Sequence, residues 1–294
     1  MMLALMQCII RYGVLIPLEI SVNLGVLDFI LLVGSTVFIA AGGYIINDIY
    51  DREADLINKP NQQYIGTHIS EKTGLTLYII FNIIGLLCGL LLSNSIGKST
   101  FFMLFIFIAA GLHLYASMIK PIAVLGNMVV SLFVAISVLI VGLFELFPIG
   151  GTGLSAEQAM AWTIILDYVV FAGILTFIRE LVKDLEDIQG DHNAGYKTLP
   201  IIFGIQRTAR LSAVLGMLSI FGFALYFFMH LLEVKWQLLV SLVSIILPLI
   251  YSSTQLWDAH KKQQFSKIAT VLKLLMLLGI LLLPVIAKTL YHAR

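Results

Sequence analysis

The chain has 294 residues, 60% of them hydrophobic and 12% charged, with a mean hydropathy of +0.99. An ordinary soluble domain carries about 25% charged residues, so the composition excludes one and points to a polytopic α-helical membrane protein. A net charge of +1, with no basic stripe to neutralise phosphates, excludes nucleic acid as a partner.

Apolar stretches near the ~20 residues that cross a bilayer as a helix recur nine times, at 3–22, 27–46, 73–92, 99–117, 122–146, 159–180, 210–230, 236–257 and 268–289. Gln7, Arg11 and Glu19 interrupt the first. It has neither a basic leader nor a small-residue cleavage site and reads as a span rather than a removable signal. The second span runs into "NDIYDREAD", Asn47 to Asp55, and the sixth into "RELVKDLEDIQGD", Arg179 to Asp191. The Gly-rich stretch "FPIGGTGLSAEQ" between the fifth and sixth spans lacks the Lys-Ser/Thr ending of a phosphate loop and reads as a turn. Cys8 and Cys88 fall inside spans as packing residues, and Trp162, Trp236 and Trp257 lie near span ends, as in an interfacial belt. The expected architecture is all-α: one integral-membrane domain, residues 1–294, of nine transmembrane helices with Asp-rich cytoplasmic caps.

Orientation follows from the loop cations. The connections after spans two, four, six and eight carry twelve Lys and Arg, against four on the opposite side (Lys98, Lys235, Lys288 and Arg294). The twelve-cation side is expected to be cytoplasmic, with the N-terminus inside, the C-terminus outside and the chain in a bacterial or archaeal cytoplasmic membrane.

Nine of the seventeen acids occupy two windows on that side: Asp48, Asp51, Glu53 and Asp55, then Glu180, Asp184, Glu186, Asp187 and Asp191. A single such window could be a solvated span end. Two of them on one side, with Asn47, Asp51 and Asp55 stepping by four and Asp184, Asp187 and Asp191 by three and four, stack acids on helix faces. Like charges so placed repel, more strongly where the dielectric is low. Carboxylates without Cys or His suit a hard cation, and Mg²⁺ binds one or two carboxylates together with substrate phosphates. The pattern therefore points to Mg²⁺ as cofactor and a diphosphate held between two metal positions. The six histidines lack ligand spacing.

At these residues the chain resembles the UbiA-type superfamily of intramembrane prenyltransferases, through "NDIYDREAD" with "LINKP", "LYASMIKPIAVLGN" and "RELVKDLEDIQGDHNAGYKTLP", in that order and over most of the chain. The resemblance implies a helical bundle whose lipid-facing cavity is capped by the two Asp-rich segments. It also implies Mg²⁺-dependent transfer of a polyprenyl group from an allylic diphosphate to an acceptor. Carried onto this sequence, the metal ligands are Asp48, Asp51, Asp55, Asp184, Asp187 and Asp191. Asp51, Asp55, Asp184 and Asp187 are catalytic, with Tyr115 facing the allylic cation. Asn47, Lys120, Lys183, Lys197 and Asn127 bind the diphosphate. On the residues alone Asn47 could instead cap a helix continuing through the window, and Glu53 and Glu186 are expected to face solvent or to pair with nearby Arg and Lys. Two departures stand out. A second basic residue expected after the first motif is missing from "NKPNQQYIGTHIS", and the family's basic and Asn-containing start to the first helix is expected upstream of Met1.

The second motif resembles the branch that prenylates glycerol-phosphate derivatives, so the expected partners are a geranylgeranyl diphosphate donor, a lipid acceptor such as geranylgeranylglycerol phosphate, and the bilayer. An aromatic acceptor in quinone biosynthesis is the alternative. A cation-coupled transporter is a third reading: intramembrane acids mark ion paths, and the 136 residues between Asp48 and Asp184 hint at a duplication. The clustering of the acids at one membrane face counts against it.

Overall fold

The structure, a computed structural model, describes residues 2–60, 63–147, 153–231 and 236–293. Residues 148–152 of the expected Gly-rich turn, Lys235, Arg294 and the Trp236 side chain lie outside the described set. Among the described residues the fold is all-helical: α1 (Met2–Cys8), α2 (Val26–Tyr50), α3 (Arg52–Asn58), α4 (Glu71–Ser95), α5 (Phe102–Leu114), α6 (Leu125–Leu146), α7 (Ala156–Asn193), α8 (Leu199–Phe203), α9 (Ile205–Leu231), α10 (Trp236–Trp257) and α11 (Lys262–Ala293). Seven helices are long and apolar enough to cross a membrane, and two shorter apolar helical stretches, Met2–Leu15 and Val243–Trp257, accompany them.

The first expected span, 3–22, is shorter than its hydropathy suggests. Helix α1 passes into a π-helical turn, Ile9–Leu15, and helix ends there. Pro17 follows and Glu19 takes a positive φ of 56°, so the chain cannot continue as helix through 16–25. Helix α7 departs in the other direction. Ser155 and Gln158 form a reciprocal capping box at its start, and its 38 residues extend about 57 Å, well beyond a ~30 Å hydrocarbon core. The extra length carries the second acidic window.

Helix–helix packing inside a bilayer has little hydrophobic drive and relies on close approach and interhelical hydrogen bonds. Helices α2 and α4 meet this way: the Ser35 hydroxyl donates to the Gly85 carbonyl at 2.8 Å, and a Cβ on Gly85 would stand 2.7 Å from Ile39 Cγ1. Two apolar cores result. One joins α1, α2, α5, α6, the early turns of α7 and the end of α11; the other joins the later turns of α7 with α9, α10 and the start of α11. Helices α7 and α11 belong to both and tie the halves together.

Arg11, an interruption in the sequence, is a buried structural charge. Its guanidinium pairs with Glu145 at the end of α6, donates to the Leu24 carbonyl at 2.7 Å and lies 4.7 Å from the Phe29 ring. Glu145 also accepts from the Leu24 N–H at 3.2 Å. Arg11 is 4% and Glu145 0% exposed, so each needs the other. Removing one partner of such a pair costs about 3–5 kcal/mol, whereas replacing both with apolar residues of similar size is often neutral. Glu145→Leu is therefore expected to lower the melting temperature in detergent sharply, and Arg11→Met/Glu145→Leu to recover most of it. A double variant no more stable than the single one would contradict this.

Candidate active site

The two acidic windows converge on one cavity of about 350 Å³, lined by α2, α3, α5, α6 and α7. Helix α2 ends at Tyr50 and α3 begins at Arg52, with Asp51 at the junction. The sequence suggests one helix through this window; the structure has two. The junction nevertheless keeps helical bonding, since the Asp51 N–H donates to the Asn47 carbonyl and the Asp55 N–H to the Asp51 carbonyl, both at 2.8 Å. Asn47, Asp48, Asp51 and Asp55 all line the cavity, and so do Asp184, Asp187 and Asp191 across from them on α7.

A π-helical turn, Tyr115–Ile119, follows α5. Its bond from the Lys120 N–H to the Tyr115 carbonyl, 2.9 Å, closes five residues rather than four. Five residues apart on an α-helix point in different directions, whereas the wider turn sends Tyr115 and Lys120 into the same cavity. The chain then reaches α6 through a tight γ-turn at Val124, where φ is +67° and the Leu125 N–H donates to the Ala123 carbonyl at 2.7 Å. A β-branched residue at positive φ is strained. The turn delivers Asn127 to the cavity wall, where its amide donates to Asp184 at 2.9 Å.

Lysines interleave with the acids. Lys120 pairs with Asp51 and lies 3.4 Å from Asn47 Oδ1, while Asn47 donates to Asp51 at 2.5 Å. The Asn47 side chain thus lines the cavity and bonds to Asp51 rather than capping a helix. Lys59 Nζ stands 3.2 Å from Asp55 and 3.9 Å from Asp187, so one cationic centre touches both windows. Lys183 is 3.7 Å from Asp187. Tyr196, in the loop after α7, donates to Asp51 at 3.2 Å; burial and the Asp51 charge hold its phenol above the ordinary value and keep it protonated. The same loop is fixed by the Lys197 N–H donating to the Pro121 carbonyl at 2.9 Å.

Of the metal, catalytic and diphosphate-binding residues expected from the sequence, all but Lys197 line this cavity. Lys197 is exposed and takes part through its main chain. Glu53 and Glu186 do not line the cavity, and Glu53 is exposed. Sequence reasoning missed Asn58, Lys59, Arg179, Glu180 and Thr198 as cavity residues, and Tyr196 as a partner of Asp51. Arg179 and Glu180 open the second acidic string, and Lys59 and Tyr196 lie four and five residues beyond a motif acid; Asn58 and Thr198 left no comparable signal.

The donor set is entirely oxygen, which suits a hard cation. Among the described residues no three His, Cys, Asp or Glu side chains converge closely enough to hold a metal alone. Carboxylates instead face one another across a space that the Lys59 ammonium already spans. Asp187 Oδ1 is buried without a hydrogen-bond partner, an acceptor open to a cation. The arrangement fits Mg²⁺ that takes one or two carboxylates from a wall and completes its shell with substrate phosphate oxygens.

Burial alone would lower the Lys59 pKa; the charges of Asp187, Asp55 and Asp51 outweigh it and raise it above the ordinary lysine value. The raised group stabilises the fold fully below the unfolded pKa of about 10.4, and that stability is lost only as pH climbs through the folded value. Amine acylation at about pH 8.5 should therefore modify Lys59 more slowly than the exposed Lys72, a contrast readable by peptide mass spectrometry. Equal rates would show that the bridge does not hold the ammonium.

The sequence pattern of the UbiA prenyltransferase family matches residues 12–282. The digeranylgeranylglyceryl phosphate synthase of Saccharolobus solfataricus is 32% identical over 249 residues, covering 84% of this chain and 81% of that protein. That of Sulfurisphaera tokodaii is 33% identical over 191 residues, 65% of this chain and 63% of that protein, so the chain spans slightly less than two thirds of that relative. A solved structure of a UbiA homolog from Archaeoglobus fulgidus bound to DMAPP and Mg²⁺ shares the fold, with a TM-score of 0.55 at 17% identity over 96% of each chain.

Proposed function

The chain belongs to the UbiA prenyltransferase family, and from that premise we propose that it transfers a geranylgeranyl group from geranylgeranyl diphosphate to the hydroxyl of geranylgeranylglyceryl phosphate. The observation that carries the reading is the convergence of two acidic windows and three lysines over one cavity whose deeper wall is apolar. The names of the relatives in Saccharolobus and Sulfurisphaera support the acceptor. The nine-span reading takes the two shorter apolar helical stretches as membrane segments beside the seven long helices among the described residues. The acidic end faces the cytoplasm by the Lys and Arg distribution.

Asp48, Asp51 and Asp55 on one wall and Asp184, Asp187 and Asp191 on the other hold the divalent cations. Mg²⁺, when bound, neutralises the charge that develops on the leaving diphosphate. Lys120, Lys59 and Lys183, paired with carboxylates in this structure, turn to the diphosphate oxygens as the anion enters. Asn47 and Asn127 keep Asp51 and Asp184 oriented. Ile39, Phe105, Ile108, Phe133 and Ile140 receive the prenyl tail. The bond between C1 and the diphosphate oxygen breaks, and the diphosphate keeps the electron pair. The face of Tyr115 stabilises the allylic cation that remains. The acceptor oxygen bonds to C1 and passes its proton to the released diphosphate.

Purified protein in detergent, given labelled geranylgeranyl diphosphate, Mg²⁺ and a panel of glycerol-phosphate and aromatic acceptors, should label the glycerol-phosphate lipid. Asp51→Ala and Asp184→Ala should each lower the rate by about 10²–10³-fold, the scale of losing a charge-stabilising group, and EDTA should abolish it. Label on an aromatic acceptor instead would move the reaction to quinone chemistry, and diphosphate release indifferent to EDTA and both substitutions would end the reading. A separate check concerns orientation. A cysteine placed at the exposed Thr67 should react with an impermeant maleimide only from the cytoplasmic side of the membrane.

A further inference from the structure

Asn58 ends α3, three positions after Asp55, and is 7% exposed. Its side chain leaves its own helix and pairs with the backbone of α7. The amide Nδ2 donates to the Asp187 carbonyl at 2.8 Å, and Oδ1 accepts from the Gly190 N–H at 2.9 Å. The Asn58 main-chain carbonyl accepts from Lys262 Nζ at 2.8 Å, at the start of α11. One side chain from the first acidic window is thus bonded to the backbone of the second, between Asp187 and Asp191.

The pairing depends on both partners. A Cβ at position 190 would overlap the Ala54 carbonyl oxygen and the Asn58 amide nitrogen and stand 2.6 Å from Asn58 Cγ, so the approach of α3 to α7 requires glycine there. Asparagine presents a donor and an acceptor at this reach. Aspartate would turn a second acceptor toward the Asp187 carbonyl, and glutamine is one methylene longer.

We propose that the Asn58–Gly190 clamp sets the spacing between the two Asp-rich segments, which makes Asn58 a positioning residue for the cation–diphosphate site; this rests on the diphosphate reading of the cavity. Helix α3 has only seven residues, too few to be stable alone, and the acids it carries are repelled by those on α7. In this structure the Lys59 bridge between Asp55 and Asp187 offsets that repulsion. When Lys59 turns to an incoming diphosphate, that ionic tie is lost. The clamp is uncharged and does not compete for the anion, so it holds the two walls at the separation that a shared cation needs.

The test compares full-length wild type, Asn58→Ala and Gly190→Ala in detergent by two readouts. The first is the rise in melting temperature on adding Mg²⁺ with inorganic diphosphate; the second is the dependence of prenyl transfer on Mg²⁺ and donor concentration. Each variant should need about tenfold more Mg²⁺ for half-maximal rate and show a raised donor KM. At saturating Mg²⁺, kcat should return to within about threefold of wild type, and the melting-temperature rise at a fixed Mg²⁺ concentration should fall by about half or more. Gly190→Ala removes no polar group, so the same phenotype there identifies spacing as the cause. Unchanged Mg²⁺ midpoints and melting shifts in both variants would overturn the clamp while leaving the diphosphate reading intact. Loss of folded protein in both would also overturn it, reducing the contact to a structural staple. A wild type with neither a melting shift nor diphosphate release would defeat the diphosphate reading, and the clamp with it.

Discussion

Charge balance at the mouth of an apolar cavity is the constraint on which the rest of the structure depends. Six aspartates line one space, and a low dielectric makes both their repulsion and their desolvation costly. The chain answers with lysines drawn from three places: Lys59 after α3, Lys120 after the π-helical turn, and Lys183 within α7. Each is a cation on a flexible stem, free to leave its carboxylate when a better anion arrives. On the proposed function, a diphosphate with hard cations would satisfy the acids and the lysines together, which neither component would do alone.

The fold around this site is built to hold two walls apart and in register. Helix α7 is rigid and continuous from one side of the bilayer to beyond the other, so the second set of acids inherits its position from the membrane-embedded core. The first set has no such helix. It sits on a junction at Asp51 and a seven-residue segment, and its place is fixed by contacts to α7, by Tyr196 from the following loop and by Lys262 from α11. At the other end of the bundle, Arg11 and Glu145 lock the π-helical turn after α1, the loop before α2 and α6 together. The two polar networks stand at opposite ends of α6, with apolar packing between them.

Much of this was legible in the sequence, because spans are read from local hydropathy and acids from local spacing. The i, i+4 steps of Asn47, Asp51 and Asp55 survive the break between α2 and α3, and Asp184, Asp187 and Asp191 share the cavity wall as their spacing implies. Tertiary pairing across the chain was not legible. Asn58 and Gly190 are 132 positions apart, and neither carries a charge or a repeat that marks it. Arg11 read as a flaw in a span because its partner Glu145 lies 134 positions away. Lys197 shows the converse: its place in a motif-like string suggested a ligand, but the structure uses its backbone and leaves its side chain exposed. Hydropathy also overextended the first span, since it does not register the halt that Pro17 and the positive φ of Glu19 impose.

The account's central claim is that acids and lysines together form a site that takes diphosphate and Mg²⁺ as one unit. Calorimetric titration of an unreactive geranylgeranyl thiolodiphosphate into the purified protein, with Mg²⁺ and then with EDTA, tests it directly. The account predicts affinity at least about tenfold tighter with Mg²⁺, and loss of that difference in Asp51→Asn/Asp187→Asn. Equal affinity with and without the metal would contradict it.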